Sequence, residues 1–225
     1  MKITEFLFKD VSTSVFGQRR TIETLTAESK PDFDFFLFLV FATCITTIGL
    51  LRDNAIVIVA GMLLAPLLFP IMALGMGMVT FSLSAIIRAL FTIIESIGVV
   101  VLISAFTAYF IGPVETNSLS VASTPDILLY VVAFLAGTIT AFTWVKQNMS
   151  ASLPSIAITV ALIVPLSAVG IAIVGISPDT FFNSFELFFG NLFAITLATI
   201  IVFMMFGFAR LHQYQEKVIE AEKKE

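Results

Sequence analysis

Residues 60–71 read Ala60-Gly61-Met62-Leu63-Leu64-Ala65-Pro66-Leu67-Leu68-Phe69-Pro70-Ile71, an unbroken apolar run that carries two prolines four residues apart. A proline inside a helix removes one backbone N–H and disturbs the carbonyl four residues earlier, so we expect a helix over this run to be interrupted. A related run, Leu162-Ile163-Val164-Pro165-Leu166, occurs later in the chain. The recurrence predicts a protein built by internal duplication around two proline-containing helices.

The composition around these runs indicates a membrane protein. Of the 225 residues, 58% are hydrophobic, 12% are charged and 24 are phenylalanine, and the mean hydropathy is +1.03. A soluble domain cannot bury so large an apolar fraction. Because helices satisfy their own backbone groups in lipid, the chain is predicted to be an all-α membrane protein.

The number of crossings follows from the lengths of the apolar stretches. A hydrocarbon core about 30 Å thick needs roughly 20 residues in a helix. Six stretches come within a few residues of that length, and they are 35–51, 55–79, 85–111, 127–145, 153–176 and 187–209. The sequence therefore predicts six transmembrane helices, with the question open whether the proline-containing segments span fully or re-enter.

The basic residues predict the orientation. With both termini cytoplasmic, eleven of the twelve Lys and Arg residues lie inside and only Arg52 lies outside, as the positive-inside rule favours. We expect a multi-pass protein of the cell membrane without a cleaved signal. It divides into a cytoplasmic or interfacial segment 1–33, a transmembrane domain 34–210 and a cytoplasmic helical tail 211–225.

The repeat has a geometric consequence. A shift of 99 residues aligns Leu63 with Leu162 and Pro66 with Pro165. The halves, about 35–111 and 127–209, each hold three predicted spans, so the second is inverted in the bilayer. Inverted repeats with interrupted helices are typical of transporters. The predicted fold is six helices in two inverted three-helix repeats, with Pro-broken second and fifth helices.

The same residues resemble a known family. Residues 47–54, Thr-Ile-Gly-Leu-Leu-Arg-Asp-Asn, followed by residues 60–71, are similar to the "G-L-x-x-x-N … G-A-M-L-x-x-P-L-x-x-P-I" pattern of the domain of unknown function 389 family. Residues 153–166 resemble its "L-P-G-x-A-I-A … P-P-L" segment. The chain departs from these patterns at Met62, Ser155 and Val164. The resemblance implies a prokaryotic hydrophobic membrane protein and no particular mechanism.

The three prolines Pro66, Pro70 and Pro165 mark a candidate site. They leave backbone groups unsatisfied at membrane depth, and hydroxyl groups, water in a cavity or a bound ion could satisfy them. The alternative is a structural kink packed against protein.

Glu95 and Asn191 are candidate pathway residues. Glu95 is the only acidic residue within the predicted spans, and Asn191 occupies the corresponding place in the sixth span at a shift of 96. A charge inside the bilayer is costly and usually faces protein or water. The alternatives are that Glu95 extends toward Arg88 or only joins helices.

Other polar residues complete the candidate set. Thr46 and Thr47 could line the pathway, although each could instead bond a helix backbone. Four residues could form entrances or merely anchor the helices at the interface: Arg52, Asn54, Lys146 and Asn148.

The sequence favours transport over catalysis. The predicted spans hold one Glu, no His and the single Cys44, so we expect no enzyme, no metal and no cofactor. No basic stripe predicts nucleic-acid binding. The expected partners are the lipid bilayer and further copies of the chain in a homo-oligomer. The leading hypothesis is passage of a small solute or ion by a transporter or channel, and the alternative is a non-transporting membrane scaffold or sensor.

Overall fold

A computed structural model describes residues 15–112, 114–146, 152–175 and 177–222, which contain helices and no strand. The helices are α1 (Val15–Glu28), α2 (Phe33–Leu51), α3 (Ala55–Met62), α4 (Leu68–Thr80), α5 (Leu83–Ile111), α6 (Asn117–Ala122), α7 (Ile127–Val145), α8 (Ser152–Gly175), α9 (Pro178–Met205) and α10 (His212–Glu222), with a 3-10 turn over Phe208–Leu211. The all-α prediction is confirmed.

Four of these helices, α2, α5, α7 and α9, are long and apolar enough to cross a membrane. The helix α4 and the Ala161–Gly175 part of α8 are apolar but shorter. The chain is therefore a multi-pass helical membrane protein. By length and composition, four of the described helices are candidates to cross the membrane, and the six predicted crossings are not confirmed.

Side chains fix where the long helices begin. The carboxylate of Asp32 accepts the Phe35 N–H at 2.9 Å before α2, and the Ser82 hydroxyl accepts the Ala85 N–H at 3.2 Å before α5. Such N-caps satisfy backbone donors that the first turn leaves free.

The last long helix begins earlier than predicted. A proline in its first turn, Pro178, starts α9 nine residues before the predicted boundary at 187, since a proline suits that position. Glu186 therefore lies within α9. The prediction that Glu95 is the only acidic residue in a spanning helix was wrong.

The run 60–71 is interrupted between α3 and α4. Pro66 lies in the interruption, 63–67, where the Leu64 N–H bonds the Gly61 carbonyl at 3.2 Å. Pro70 is the third residue of α4. A proline there costs little, because the first N–H groups of a helix have no partner within it. The chain therefore leaves the helix after Met62, four residues before Pro66, and re-enters it at Leu68, two residues before Pro70.

The predicted break of the fifth helix is not found. Pro165 lies inside α8, which continues on both sides of it. Membrane helices tolerate a proline where a neighbouring helix satisfies the freed backbone group. At Pro165 the side chain of Asn191 on α9 does so.

The two proline-containing segments pass through the middle of the bundle. Helix α8 packs against α2, α5, α7 and α9, and α4 packs against α1, α5 and α9. Glycines allow the closest approaches: Gly75 of α4 faces Thr199 of α9, and Gly170 of α8 faces Ser104 of α5. By contrast, α5 and α7 each leave one apolar face exposed.

The two ends of the bundle are organised differently. At the end that we call the tail end, α1 packs on α4 and α10 packs on α1, and the Thr21 hydroxyl donates to the Trp144 carbonyl at 3.1 Å. At the opposite end, the loop end, the Thr116 hydroxyl before α6 donates to the Leu50 carbonyl at 2.7 Å. Helices α1 and α6 thus each bond the last turn of a long helix.

Candidate functional site

Asn191 satisfies the backbone group that Pro165 frees. Its Nδ2 donates to the Ala161 carbonyl at 2.7 Å, and Ala161 lies four residues before the proline. A helix without the proline would supply that carbonyl with its own N–H. Asn191 is only 3% exposed, and its Oδ1 has no hydrogen-bond partner. The amide side chain on α9 therefore replaces the missing bond and explains why α8 continues.

Thr46 and Thr47 are both buried on α2, but they differ in bonding. The Thr47 hydroxyl donates to the Thr43 carbonyl at 2.7 Å, which is the backbone bond that the sequence left as an alternative. The Thr46 hydroxyl has no partner and lies against Gly61 of α3. The unsatisfied Thr46 hydroxyl therefore lies where α2 and α3 approach each other closely, at Gly61, one residue before the end of α3.

Two further buried hydroxyls were missed by the sequence analysis. Ser167, two residues past Pro165, and Ser184, two turns before Asn191, have no hydrogen-bond partner and are fully buried. Buried polar groups are usually bonded. Small polar residues inside apolar runs were the available signal, but the sequence offers many of them.

The interruption at Pro66 opens onto a cavity of about 560 Å³. Its wall includes the interruption itself and the segment between α1 and α2. The lining residues are Ala27, Glu28, Lys30, Asp32, Asp34, Phe35, Phe38, Leu63, Leu64, Ala65, Pro66 and Phe69. The rim therefore carries three carboxylates and one ammonium group.

Glu95 does not meet Asn191. It is exposed on the outer face of α5, whereas Asn191 is buried against α8. The Thr107 hydroxyl contacts the Cys44 sulfur at 3.7 Å, which fixes the register of α5 against α2. Glu95 lies twelve residues before Thr107 on α5, with its side chain away from the buried face of that helix.

The predicted entrance residues lie at helix ends. Arg52 is exposed after α2, and the Asn54 side chain caps α3 by accepting from Ile56 N at 3.1 Å. The half-buried Lys146 places its Nζ 5.3 Å from the ring centre of Phe142. Asn148 lies outside the described residues. Arg52, Asn54 and Lys146 thus lie at helix ends, and none of the three lines the cavity.

Asp53, which the sequence analysis did not single out, joins the α2–α3 turn to α6. Its carboxylate accepts from the Ser118 hydroxyl at 2.6 Å and from the Ser118 N–H at 2.8 Å. These bonds, helped by Asn117, hold the pKa of Asp53 below its ordinary value of 3.8. Hydrogen bonds to a carboxylate favour its charged form.

The described residues define a multi-pass helical membrane protein with buried polar groups inside and no cluster of His, Cys, Asp or Glu that could hold a metal. The chain belongs to the Domain of unknown function (DUF389) family, whose model matches residues 62–197. The resemblance seen in the sequence is thereby confirmed.

One relative extends the comparison to an archaeon. Over 173 residues the chain is 26% identical to Uncharacterized protein MJ0678 of Methanocaldococcus jannaschii. The match covers 76% of this chain and 53% of the relative, so the chain spans about half the length of that protein. No solved structure is significantly similar to the chain.

Proposed function

We propose that the chain forms a six-crossing bundle of two inverted repeats that passes a small solute or ion across the membrane. The observation that carries the proposal is non-helical backbone at 63–67 beside a cavity of about 560 Å³. Irregular backbone at membrane depth is tolerated only where protein buries it or where it lines a water-filled cavity. Interrupted helices of this kind line the binding sites of transporters.

Six crossings result when α3 and α4 together count as one crossing and α8 counts as another. Helices α3 and α4 together run from 55 to 80, and α8 has 24 residues. Roughly 20 helical residues cross a hydrocarbon core. Added to the four long helices, these two segments give three crossings in each half of the chain.

Matching positions support the repeat. One shift of 95 residues relates the starts of α5 and α9 and the ends of α4 and α8. The same shift relates the pairs Pro70 and Pro165, Gly75 and Gly170, and Ser104 and Thr199. The close contact between Gly75 and Thr199 is therefore repeated by Gly170 and Ser104. We propose this shift in place of the 99 residues that align Leu63 with Leu162 and Pro66 with Pro165.

Reciprocal hydrogen bonds support the inversion. Thr21 bonds the end of α7 at the tail end, and Thr116 bonds the end of α2 at the loop end. The donors are 95 residues apart, and the acceptors Leu50 and Trp144 are 94 apart. The segment that precedes each half thus donates to the first long helix of the other half, and the two bonds lie at opposite ends, as a two-fold axis in the membrane plane would require.

The charge of the rim indicates which ion would be favoured. Glu28, Asp32 and Asp34 outnumber Lys30 at the cavity. A cleft lined mainly by one sign of charge concentrates ions of the opposite sign. If the permeant species is an ion, we expect a cation.

The alternative function, a non-transporting scaffold or sensor, is favoured by one contact. The bond from Asn191 to the Ala161 carbonyl is what a permanent structural kink requires. In that case Pro165 has only a packing role, and the protein transports no solute or ion.

Flux through proteoliposomes separates these functions. Purified chain should pass Na⁺ or K⁺ faster than empty liposomes, and chloride more slowly than either cation. Ala65→Trp, which fills the cavity wall, should return the flux to background. Leu102→Trp is the matched control, because Leu102 is 71% exposed on the outer face of α5. Background flux for every ion and for small neutral solutes, from folded protein, would refute transport.

Thiol labelling tests whether water fills the cavity. In a Cys44→Ala background, Leu64→Cys at the cavity and Leu102→Cys on the outer face are both exposed positions. Only a hydrated thiol ionises and reacts with a membrane-impermeant methanethiosulfonate, so we expect the cavity position to react about tenfold faster. Equal rates would mean that lipid occupies the cavity, and the proposal would lose its basis.

A further inference from the structure

The C-terminal helix α10 is seated on the turn between α4 and α5. The Thr80 hydroxyl donates to Gln215 Oε1 at 2.5 Å, and the Ser82 hydroxyl donates to Glu216 Oε1 at 2.5 Å. The ring Nδ1 of His212 lies 2.9 Å from the Thr80 carbonyl. Gln215 is only 2% exposed. Three side chains of α10 thus cover the last residue of α4 and the cap of α5.

Helix α1 holds the other side of α10. The Tyr214 hydroxyl donates to the Glu23 carboxylate, and the Arg19 guanidinium lies 4.8 Å from the centre of the Tyr214 ring. The helix α10 is therefore held between α1 and the α4–α5 turn by these polar contacts and by Ile219, which is 1% exposed, with Tyr214 and Val218 packed against the core.

The loop end has no equivalent cover from a C-terminal helix. The 95-residue shift takes Thr80 to Gly175 and Ser82 to Ser177. These two residues line a cavity of about 110 Å³ together with Val114, Glu115, Leu119, Ile171, Ala172 and Thr180. The Ser177 hydroxyl donates to Thr180 at 2.9 Å, whereas Ser82 donates to α10. Two places related by the repeat are thus occupied at one end and open at the other.

We infer that α10 is a lid that closes the tail end of the bundle over the α4–α5 turn. This inference rests on the proposed transport function, because a lid matters only if something passes. An 11-residue helix is marginal by itself, so α10 stays folded and in place only while its contacts with α1 and the α4–α5 turn hold.

A hinge connects the lid to the bundle. Gly207 adopts a φ of +76°, which non-glycine residues rarely adopt, and it precedes the 3-10 turn Phe208–Leu211. Such positions absorb the backbone change of a moving element. Gly207 is therefore the backbone position at which α10 can change direction relative to α9, against the packing of Phe208 on Phe203.

Thiol reactivity tests the lid without relying on transport. In the Cys44→Ala background, Thr80→Cys places a thiol under α10. Adding Tyr214→Phe with Glu216→Ala should raise its reaction rate about tenfold, because the hydrogen bonds from Tyr214 to Glu23 and from Ser82 to Glu216 are lost while Gln215 still covers position 80. Lys217→Ala is the matched control on the exposed side of α10. Thr43→Cys, buried in α2, should show no change.

Flux then tests the consequence. The double substitution should raise cation flux by about the same tenfold, and Lys217→Ala should leave it unchanged. An unchanged Thr80→Cys rate overturns the lid whatever the flux. A raised rate with unchanged, measurable flux overturns its role in closing the pathway. A raised rate with no flux in any chain, wild type included, refutes the proposed function and confirms only that α10 opens.

Discussion

The two central proline segments meet the same chemical problem and resolve it differently. Around Pro66 the chain gives up helix over 63–67, whereas at Pro165 helix α8 continues. In the second half, Asn191 donates to the freed carbonyl of Ala161. The 95-residue shift pairs Pro165 with Pro70 and Asn191 with Ser96, whose hydroxyl donates to the Thr92 carbonyl at 2.7 Å. The neighbouring helix thus supplies a donor to the carbonyl that Pro165 frees, whereas the matching residue in the first half bonds its own helix.

The largest effect is expected from filling the matched glycines. A Cβ on Gly170 would meet the Ser104 hydroxyl and the Val101 carbonyl, the latter at 2.6 Å. A Cβ on Gly75 would meet the side chain of Thr199 at 2.6 Å, with the nearest backbone atom at 3.6 Å. Backbone cannot yield as a side chain can, so Gly170→Ala should cost about 3 kcal/mol and Gly75→Ala about 1–2 kcal/mol.

Thermal unfolding of the purified protein in detergent measures this difference. Gly98→Ala is the control, because no atom lies within 4 Å of a Cβ there, and helix propensity alone should make it neutral or stabilising by up to about 1 kcal/mol. If Gly75→Ala destabilises more than Gly170→Ala, the packing contrast between the two halves is wrong.

A smaller effect is expected at the second proline. Asn191→Leu leaves the Ala161 carbonyl without its donor and should cost roughly 1–2 kcal/mol of stability. Pro165→Ala restores the helical N–H to that carbonyl, so in this background Asn191→Leu should cost almost nothing. A double-mutant cycle on unfolding free energies measures the coupling. Equal costs in both backgrounds would show that Asn191 does not compensate for the proline.

The smallest effect is expected for the hydrogen bonds that join Asp53 to Ser118 of α6. In the folded protein the pKa of Asp53 lies below its ordinary value of 3.8. The contribution of Asp53 to stability is therefore complete above the pKa of the unfolded chain and is lost as pH falls through the pKa of the folded protein. Hydrogen exchange of residues 117–122 should therefore quicken below about pH 4, the unfolded value. Asp53→Asn should remove this pH dependence, and a dependence that persists would assign it to another group.

The sequence predicted the elements that depend on local composition. The apolar runs predicted α2 and α7 within two residues, and Pro66 predicted the end of α3. Helix α9 was misplaced at its start because its first turns, around Phe182 and Glu186, are mixed in polarity. The start is fixed by Pro178, a local signal that hydropathy does not register.

The candidate site was predicted only in part. Asn191 and Pro165 were both selected, but the bond that joins them through Ala161 was not, because the sequence cannot give the register between α8 and α9. Glu95 was selected for its charge within an apolar run. Its exposure on the outer face of α5 depends on which side of that helix packs against α2, α4 and α8.

The sequence by itself determined that this is an all-α membrane protein of its family, and where one central helix is interrupted, because hydropathy and proline chemistry act through neighbours along the chain. Only the tertiary structure decided that α8 survives its proline, that Glu95 lies outside the bundle, and that α10 is seated at one end. These outcomes depend on donors and acceptors from distant parts of the chain, and packing alone brings them together.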